Sequence, residues 1–258
     1  MKRLSLAVAA LLVTAVPRLA LAEGEPPSKL AADVIKTEKE APSIDSSRDF
    51  YLEFNGGKFR PAVDGQPGLT GRPYKDVFGR NQMWVFGLEL DWEIWKAFGT
   101  VAAGLAADYA VVYGHGVFSK DSTTAPDVTS LNTLPVRLLA VYRFDLLARR
   151  WSIPLIPFVK AGLSYTFWWV TNGGGGLAKF GTSDAIGGKL GYELAAGLAL
   201  ELNFIDPWLS RELDQEFGVN AVTLQAQFMR VSADNFGVTP GAMDLSANTW
   251  MFGVGFEF

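Results

Sequence analysis

The chain has 258 residues, a formal net charge of −4, one histidine and no cysteine. That set excludes a disulfide framework, a thiolate metal site and a cysteine nucleophile, and without a basic excess no nucleic-acid partner is expected. Mean hydropathy is +0.15, high for a soluble chain, yet past the N-terminal segment no stretch holds the ~20 consecutive apolar residues of a membrane-crossing helix.

Taken in chain order, Met1-Lys2-Arg3 is a basic start, residues 4–16 form a nearly unbroken apolar run, and Ala20-Leu21-Ala22 supplies small residues where a signal peptidase reads. This predicts a secretory signal peptide over residues 1–22, cleaved after Ala22. Residues 23–48 are polar and proline-marked, as in Glu25-Pro26-Pro27-Ser28 and Lys36-Thr37-Glu38-Lys39-Glu40. They read as a periplasmic tether without a core of its own.

From Phe50 onward, eight segments alternate with period two, one face apolar and the other polar or small. The second is the clearest, with Trp84, Phe86, Leu88, Leu90, Trp92 and Ile94 opposing Val85, Gly87, Glu89, Asp91 and Glu93. A helix would scatter those carboxylates, whereas a strand lines them up. The first segment sets Phe50, Leu52 and Phe54 against Glu53 and Asn55. The third sets Leu105 and Tyr109 against Ala106 and Asp108, and the fourth sets Leu134, Val136 and Leu138 against Arg137 and Arg143. Then Leu163, Tyr165 and Phe167 oppose Lys160 and Ser164, and Leu190, Leu194 and Leu198 oppose Lys189 and Glu193. Leu224 and Phe228 oppose Gln225 and Gln227, and Trp250, Phe252 and Val254 oppose Met251 and Gly253.

The apolar faces often run to five or six residues, long enough for tilted strands of roughly 9–11 residues to cross a bilayer. The polar faces mix small residues with single charges, which suits a narrow lumen. Short links near residues 96–98 and 145–152 alternate with long polar ones at 60–80, 114–130, 172–187 and 234–246. Aromatic residues near strand ends (Trp84, Tyr113, Trp169 and Trp250 at one end; Trp95, Tyr142 and Phe256 at the other) would form two interfacial girdles. The expected fold is all-β, a closed antiparallel transmembrane barrel of eight strands over residues 49–258. Both mature termini would be periplasmic and the long loops extracellular.

The ending Gly253-Val254-Gly255-Phe256-Glu257-Phe258 is an apolar strand closing on phenylalanine. With the signal peptide and eight segments, residues 50–258 resemble the small bacterial outer-membrane β-barrel proteins of OmpA type and OmpW type. The resemblance implies that Phe256 and Phe258 serve as an assembly signal read by the outer-membrane assembly machinery. One connection departs from a short periplasmic turn. At 203–218, Asp206-Pro207 offers an N-cap and first helical position, Leu209, Leu213 and Phe217 recur at helical spacing, and Gly218 can end the helix. It reads as one periplasmic helix over 206–217, lying on the rim or membrane interface, or docking a periplasmic partner.

Glu89, Asp91, Asp108, Arg137, Lys160 and Glu193, with Gln225 beside them, are the inward residues placed near mid-depth. An eight-stranded barrel is just wide enough for side chains to fill it, so a structural salt-bridge network is expected, with a narrow conduit for a small solute as the alternative. His115 lies near Ser119, Asp121 and Ser122, which raises a lipid hydrolase as a distant third reading. Sequence nearness alone supplies no hydrogen-bonded base and nucleophile. The four glycines at 173–176 lack a strand-to-helix phosphate motif and read as a flexible loop. Lys58, Arg60, Arg72, Lys75 and Arg80 gather around the first long loop, where they would contact lipopolysaccharide phosphates or simply keep the loop soluble. The expected role is structural or surface-interacting among outer-membrane lipids, with no enzyme activity, metal or cofactor.

Overall fold

Aromatic and β-branched residues alternating with small or polar ones favour extended backbone with two unlike faces, and each of the eight segments forms such a strand. In the computed structural model, which describes residues 49–66, 69, 71–117, 124–180, 182–238 and 243–258, these are β1 (Phe50–Phe59), β2 (Met83–Lys96), β3 (Thr100–Val117), β4 (Thr124–Arg143), β5 (Leu155–Thr171), β6 (Ile186–Glu201), β7 (Ala221–Ser232) and β8 (Ala247–Glu257). The predicted signal peptide and tether lie outside the described residues. Each strand pairs antiparallel with the next, and β8 returns to β1 to close the barrel. At the seam Phe54 faces Val254 in register, the Phe258 amide donates to the Phe50 carbonyl at 2.8 Å, and the Phe54 and Phe256 rings meet edge-on at 6.4 Å. The chain therefore enters and closes the barrel at one end, here termed the entry end, opposite the loop end.

The apolar faces point outward. Phe86, Ile94 and Leu138 stay 63%, 64% and 65% exposed, while Glu53, Glu89, Asp91 and Asp108 inside are at most 2% exposed. Greasy outside and polar inside is the inverse of a soluble protein and the arrangement of a barrel built for lipid. Among the described residues, outward charges are confined to strand ends, with Lys58 and Arg230 exposed toward the loop end. Closure leaves no free edge in the hydrocarbon, where an unpaired backbone group costs several kcal/mol. The folded protein is therefore expected to keep a distinct gel mobility in SDS until heated. Extraction as a folded monomer without detergent would contradict the lipid-facing assignment.

Two expectations need correction. Residues 114–130 are not a long loop: β3 runs to Val117 and β4 begins at Thr124. Threonine and valine favour strands whatever the solvent, and beyond the bilayer the outward face has no need to be apolar. At 18 and 20 residues, β3 and β4 exceed the roughly 9–11 that span a membrane, so this hairpin rises above the shorter β7, β8 and β1. The entry end also carries two helices rather than one. A short α2 (Leu146–Trp151) fills the 145–152 link, ended by Ser152 in left-handed conformation. One and a half turns gave no readable periodicity. The expected helix is present as α3 (Pro207–Phe217). The Asp206 carboxylate accepts the Trp208 amide at 3.1 Å, and Gly218, at φ 69°, closes it with its amide on the Asp214 carbonyl at 2.9 Å.

Candidate functional site

Period two on facing strands aims three cations and six carboxylates into the lower and central lumen, and their contacts form three groups. Nearest the entry end, Arg143 of β4 pairs with Asp91 and lies 3.7 Å from Glu93, both on β2. Its guanidinium stacks 3.8 Å over the Tyr51 ring, and the Tyr51 hydroxyl meets Thr223 Oγ1 at 2.5 Å and donates to Gln225 at 3.4 Å. Above it, the Lys160 ammonium bridges Glu53 at 2.6 Å and Glu89 at 2.8 Å. Glu53 also accepts from Asn55 at 2.8 Å and Gln227 at 3.1 Å. Highest, Arg137 reaches Asp108 on one side and Glu193, at 2.5 Å, on the other. Gly87 makes this possible, because a Cβ there would collide with the Asp108 carboxylate and the Asn55 carboxamide.

All seven lumen residues singled out in the sequence are buried. Arg137 joins Asp108 to Glu193, Lys160 meets Glu89, Asp91 meets Arg143, and Gln225 meets Tyr51. The sequence reading left Glu53 and Arg143 out of this set, although both lie on inward faces; Tyr51, Asn55 and Gln227 were missed as their partners. The fourth buried cation, Lys189, lies toward the loop end near Asp234 and Asp244.

Above Arg137 the lumen turns apolar. Met83, Val85, Ala110, Val112, Leu131, Met229 and Met251 pack into one buried cluster with Val63, Tyr74, Phe78 and Leu245 from the loops. Tyr74 and Phe78 belong to α1 (Pro73–Phe78), which folds over the barrel mouth. Burial pushes the Tyr74 hydroxyl up to about 12, so it stays protonated and donates to the Asn81 carbonyl at 2.9 Å. Between the apolar cap and the charges, Asp108, Thr133, Thr166 and Thr249 help line a cavity of about 30 Å³. That is room for a water molecule or two, which suits the Thr133 and Thr166 hydroxyls, neither of which has a protein partner.

On the loop-end rim, Arg60, Arg72, Lys75 and Arg80 surround a depression of about 360 Å³. Lys58 stands outside it, its ammonium 3.8 Å over the Trp84 ring. His115 is exposed on β3 opposite Val128; Ser119, Asp121 and Ser122 fall outside the described residues. The 173–176 glycines wrap the Asn172 carboxamide, which accepts the Gly174 and Gly176 amides at 3.1 and 3.2 Å, with Gly175 at φ 80°. They form a defined turn.

No protein-family model matches the sequence, and no curated protein matches it. Solved structures similar to the chain include the Pseudomonas aeruginosa outer membrane protein OprG, 13% identical, over 82% of this chain and 96% of that one, with a TM-score of 0.41. The N-terminal β-barrel domain of Pseudomonas aeruginosa OprF is 13% identical over 82% and 100% of the two chains, with a TM-score of 0.39. The outer membrane enzyme PagL is 14% identical over 80% and 97%, with a TM-score of 0.39.

Proposed function

We propose that this protein is an integral bacterial outer-membrane barrel with a closed lumen and a structural or surface-interaction role, not an enzyme. The observation that carries the reading is the double closure of the lumen. A solute moving along the axis would have to cross the buried charge groups and then the apolar cap of Met83, Met251, Tyr74 and Phe78. Breaking buried ion pairs and opening a packed cap both cost several kcal/mol. Refolded protein in planar bilayers is expected to give no stable conductance steps, and a steady single-channel current would overturn the reading.

A second reading, a narrow path for small cations, draws on one feature. Six carboxylates (Glu53, Glu89, Asp91, Glu93, Asp108, Glu193) share the lower and central lumen with three deeply buried cations (Arg137, Arg143, Lys160), and Glu93 also takes Lys96 at 2.7 Å from the entry end. Such an excess favours water or cations within the network. The buried, packed apolar cap weighs against it.

In this reading the entry end is periplasmic, since the signal-derived tether joins it and the longer connections lie opposite. Strand β8 with Phe256, and Phe258 just past its end, is the surface the assembly machinery meets. Phe204, Ile205, Trp208 and Phe217 around α3, and Trp151 on α2, are strongly exposed, with Arg149 and Arg150 on α2 and Arg211 beside Glu212, Asp214 and Glu216 on α3. Apolar bodies with nearby cations at the end of a lipid-facing wall suit the headgroup layer. Because the chain has no cysteine, a dye on Phe217→Cys reports this cleanly. A blue-shifted emission is expected in vesicles, whereas a water-like emission would leave α3 for a periplasmic partner.

A further inference from the structure

We propose that the rim depression framed by Arg60, Arg72, Lys75 and Arg80 binds clustered phosphate groups of an outer-leaflet lipid. The site is built rather than a chance gathering of mobile charges. Residues 62–65 form a short 3-10 turn, and the Asp64 carboxylate accepts the Tyr74 amide at 2.8 Å and the Lys75 amide at 3.2 Å. Arg60 is held by the same carboxylate at 2.8 Å and lies 5.1 Å from the Tyr74 ring. Tyr74 and Phe78 anchor α1 in the barrel mouth at 2% and 8% exposure. The segment carrying the cations is thereby fixed to the barrel.

The charges are unbalanced. Four cations line the depression with a single carboxylate, and Asp64 is already engaged by Arg60 and two backbone amides. Among the described residues Arg72, Lys75 and Arg80 form no ion pair. Like charges lining one depression favour an anion among them, and a phosphate monoester brings about −1.5 to −2 with oxygens that accept from guanidinium and ammonium groups. A volume of about 360 Å³ admits more than one such group. The neighbouring depression past Arg60, near Arg230 and Phe236, carries Asp234 and Asp244 and suits phosphate less.

The nearness of Lys58 and the lipid-facing Trp84 in the chain points to the source. Lys58 stacks on Trp84, which is 52% exposed on the outward face, and Arg60 follows two residues later, just past the end of β1. Acyl chains against Trp84 and Phe86 would bring their headgroup phosphates to Lys58 and then into the depression. A soluble polyphosphate would use the depression but gain nothing from the wall.

The inference rests on the orientation proposed above, and the test separates the two. Refolded wild type, the triple variant Arg72→Gln/Lys75→Gln/Arg80→Gln and the opposite-end control Arg149→Gln/Arg150→Gln are titrated with diphosphoryl lipid A in mixed micelles and with inorganic tripolyphosphate. Heat-modifiable gel mobility certifies each fold, and the single variant Lys75→Glu stands in if the triple one misfolds. We expect lipid A affinity to fall at least about tenfold in the triple variant and not in the control, with tripolyphosphate far weaker than lipid A. Unchanged lipid A binding in the triple variant, or no wild-type binding above neutral micelles, would overturn the proposal. Tripolyphosphate matching lipid A, with the same loss on substitution, would overturn the lipid as source. Labelling Lys75→Cys on intact cells reads the orientation independently, and a conducting barrel would remove the closed-lumen reading while leaving the titration unaffected.

Discussion

Leu138→Arg is expected to cripple insertion of the barrel, while Gln225→Lys, a cation placed at the inward position, is tolerated. Leu138 lies on the outward face of β4, in register with Leu105 on β3 and Leu163 on β5. The three leucines are 65%, 57% and 61% exposed in the bare protein, so they form part of the lipid-facing band. An arginine near the bilayer midplane of a barrel costs about 2–4 kcal/mol, a large share of the 5–15 kcal/mol by which a typical domain is stable. Gln225 points the other way, 7% exposed beside Tyr51, in a lumen where, among the described residues, six buried carboxylates face four buried cations. The measurement is the folded fraction in phospholipid vesicles, read from the gel-mobility shift across a urea series. Equal midpoints for the two variants would mean that the faces of β4 and β7 have been assigned wrongly.

Those faces were legible because period two permits only two answers per strand, and one of them would drive Trp84 to Ile94 into the lumen. Other features depend on quantities the sequence does not display. The heights of β3 and β4 were misjudged because above the membrane the outward face loses its apolar signature while the strand continues. The charge partners were not readable either. Lys160 of β5 reaches Glu53 of β1 and Glu89 of β2 across the lumen, and that pairing follows from barrel width and strand stagger. Glu53 and Arg143 sat on the correct faces, but depth judged strand by strand misses that Arg143 lies level with Asp91. The apolar cap was hidden most deeply. Val63, Tyr74 and Phe78 are scattered through a segment dominated by Arg, Lys, Asp, Gly and Pro, with no period of their own, and only folding back over the mouth gives them a core to join.

Arg137→Met is expected to lower the melting temperature strongly and to leave the protein without conductance. The Arg137 guanidinium is 2% exposed and joins Asp108 to Glu193, each 1% exposed, with Met229 Sδ 3.2 Å away. Methionine fills much of the same space beside an existing thioether, so packing changes little and the charge is the main loss. Two buried carboxylates then face each other without their cation, and breaking a buried pair in this way costs roughly 3–5 kcal/mol. Neutralising the carboxylates as well, in Arg137→Met/Asp108→Asn/Glu193→Gln, should recover part of that loss, because the penalty belongs to the unpaired charges rather than to the missing bond. A closed lumen predicts silence in planar bilayers for all three proteins, since Arg137 meets the cap only at Met229 and the substitutions leave its Met83, Met251, Tyr74 and Phe78 side chains in place. A cation path predicts a different pattern: Arg137→Met would fold with an unchanged melting temperature, and removing a fixed positive charge from the path would raise cation conductance. Melting temperature and current therefore move in opposite combinations under the two readings. A wild-type current that increases in Arg137→Met without thermal cost would require the charge network to be reassigned from a structural core to the lining of a pore.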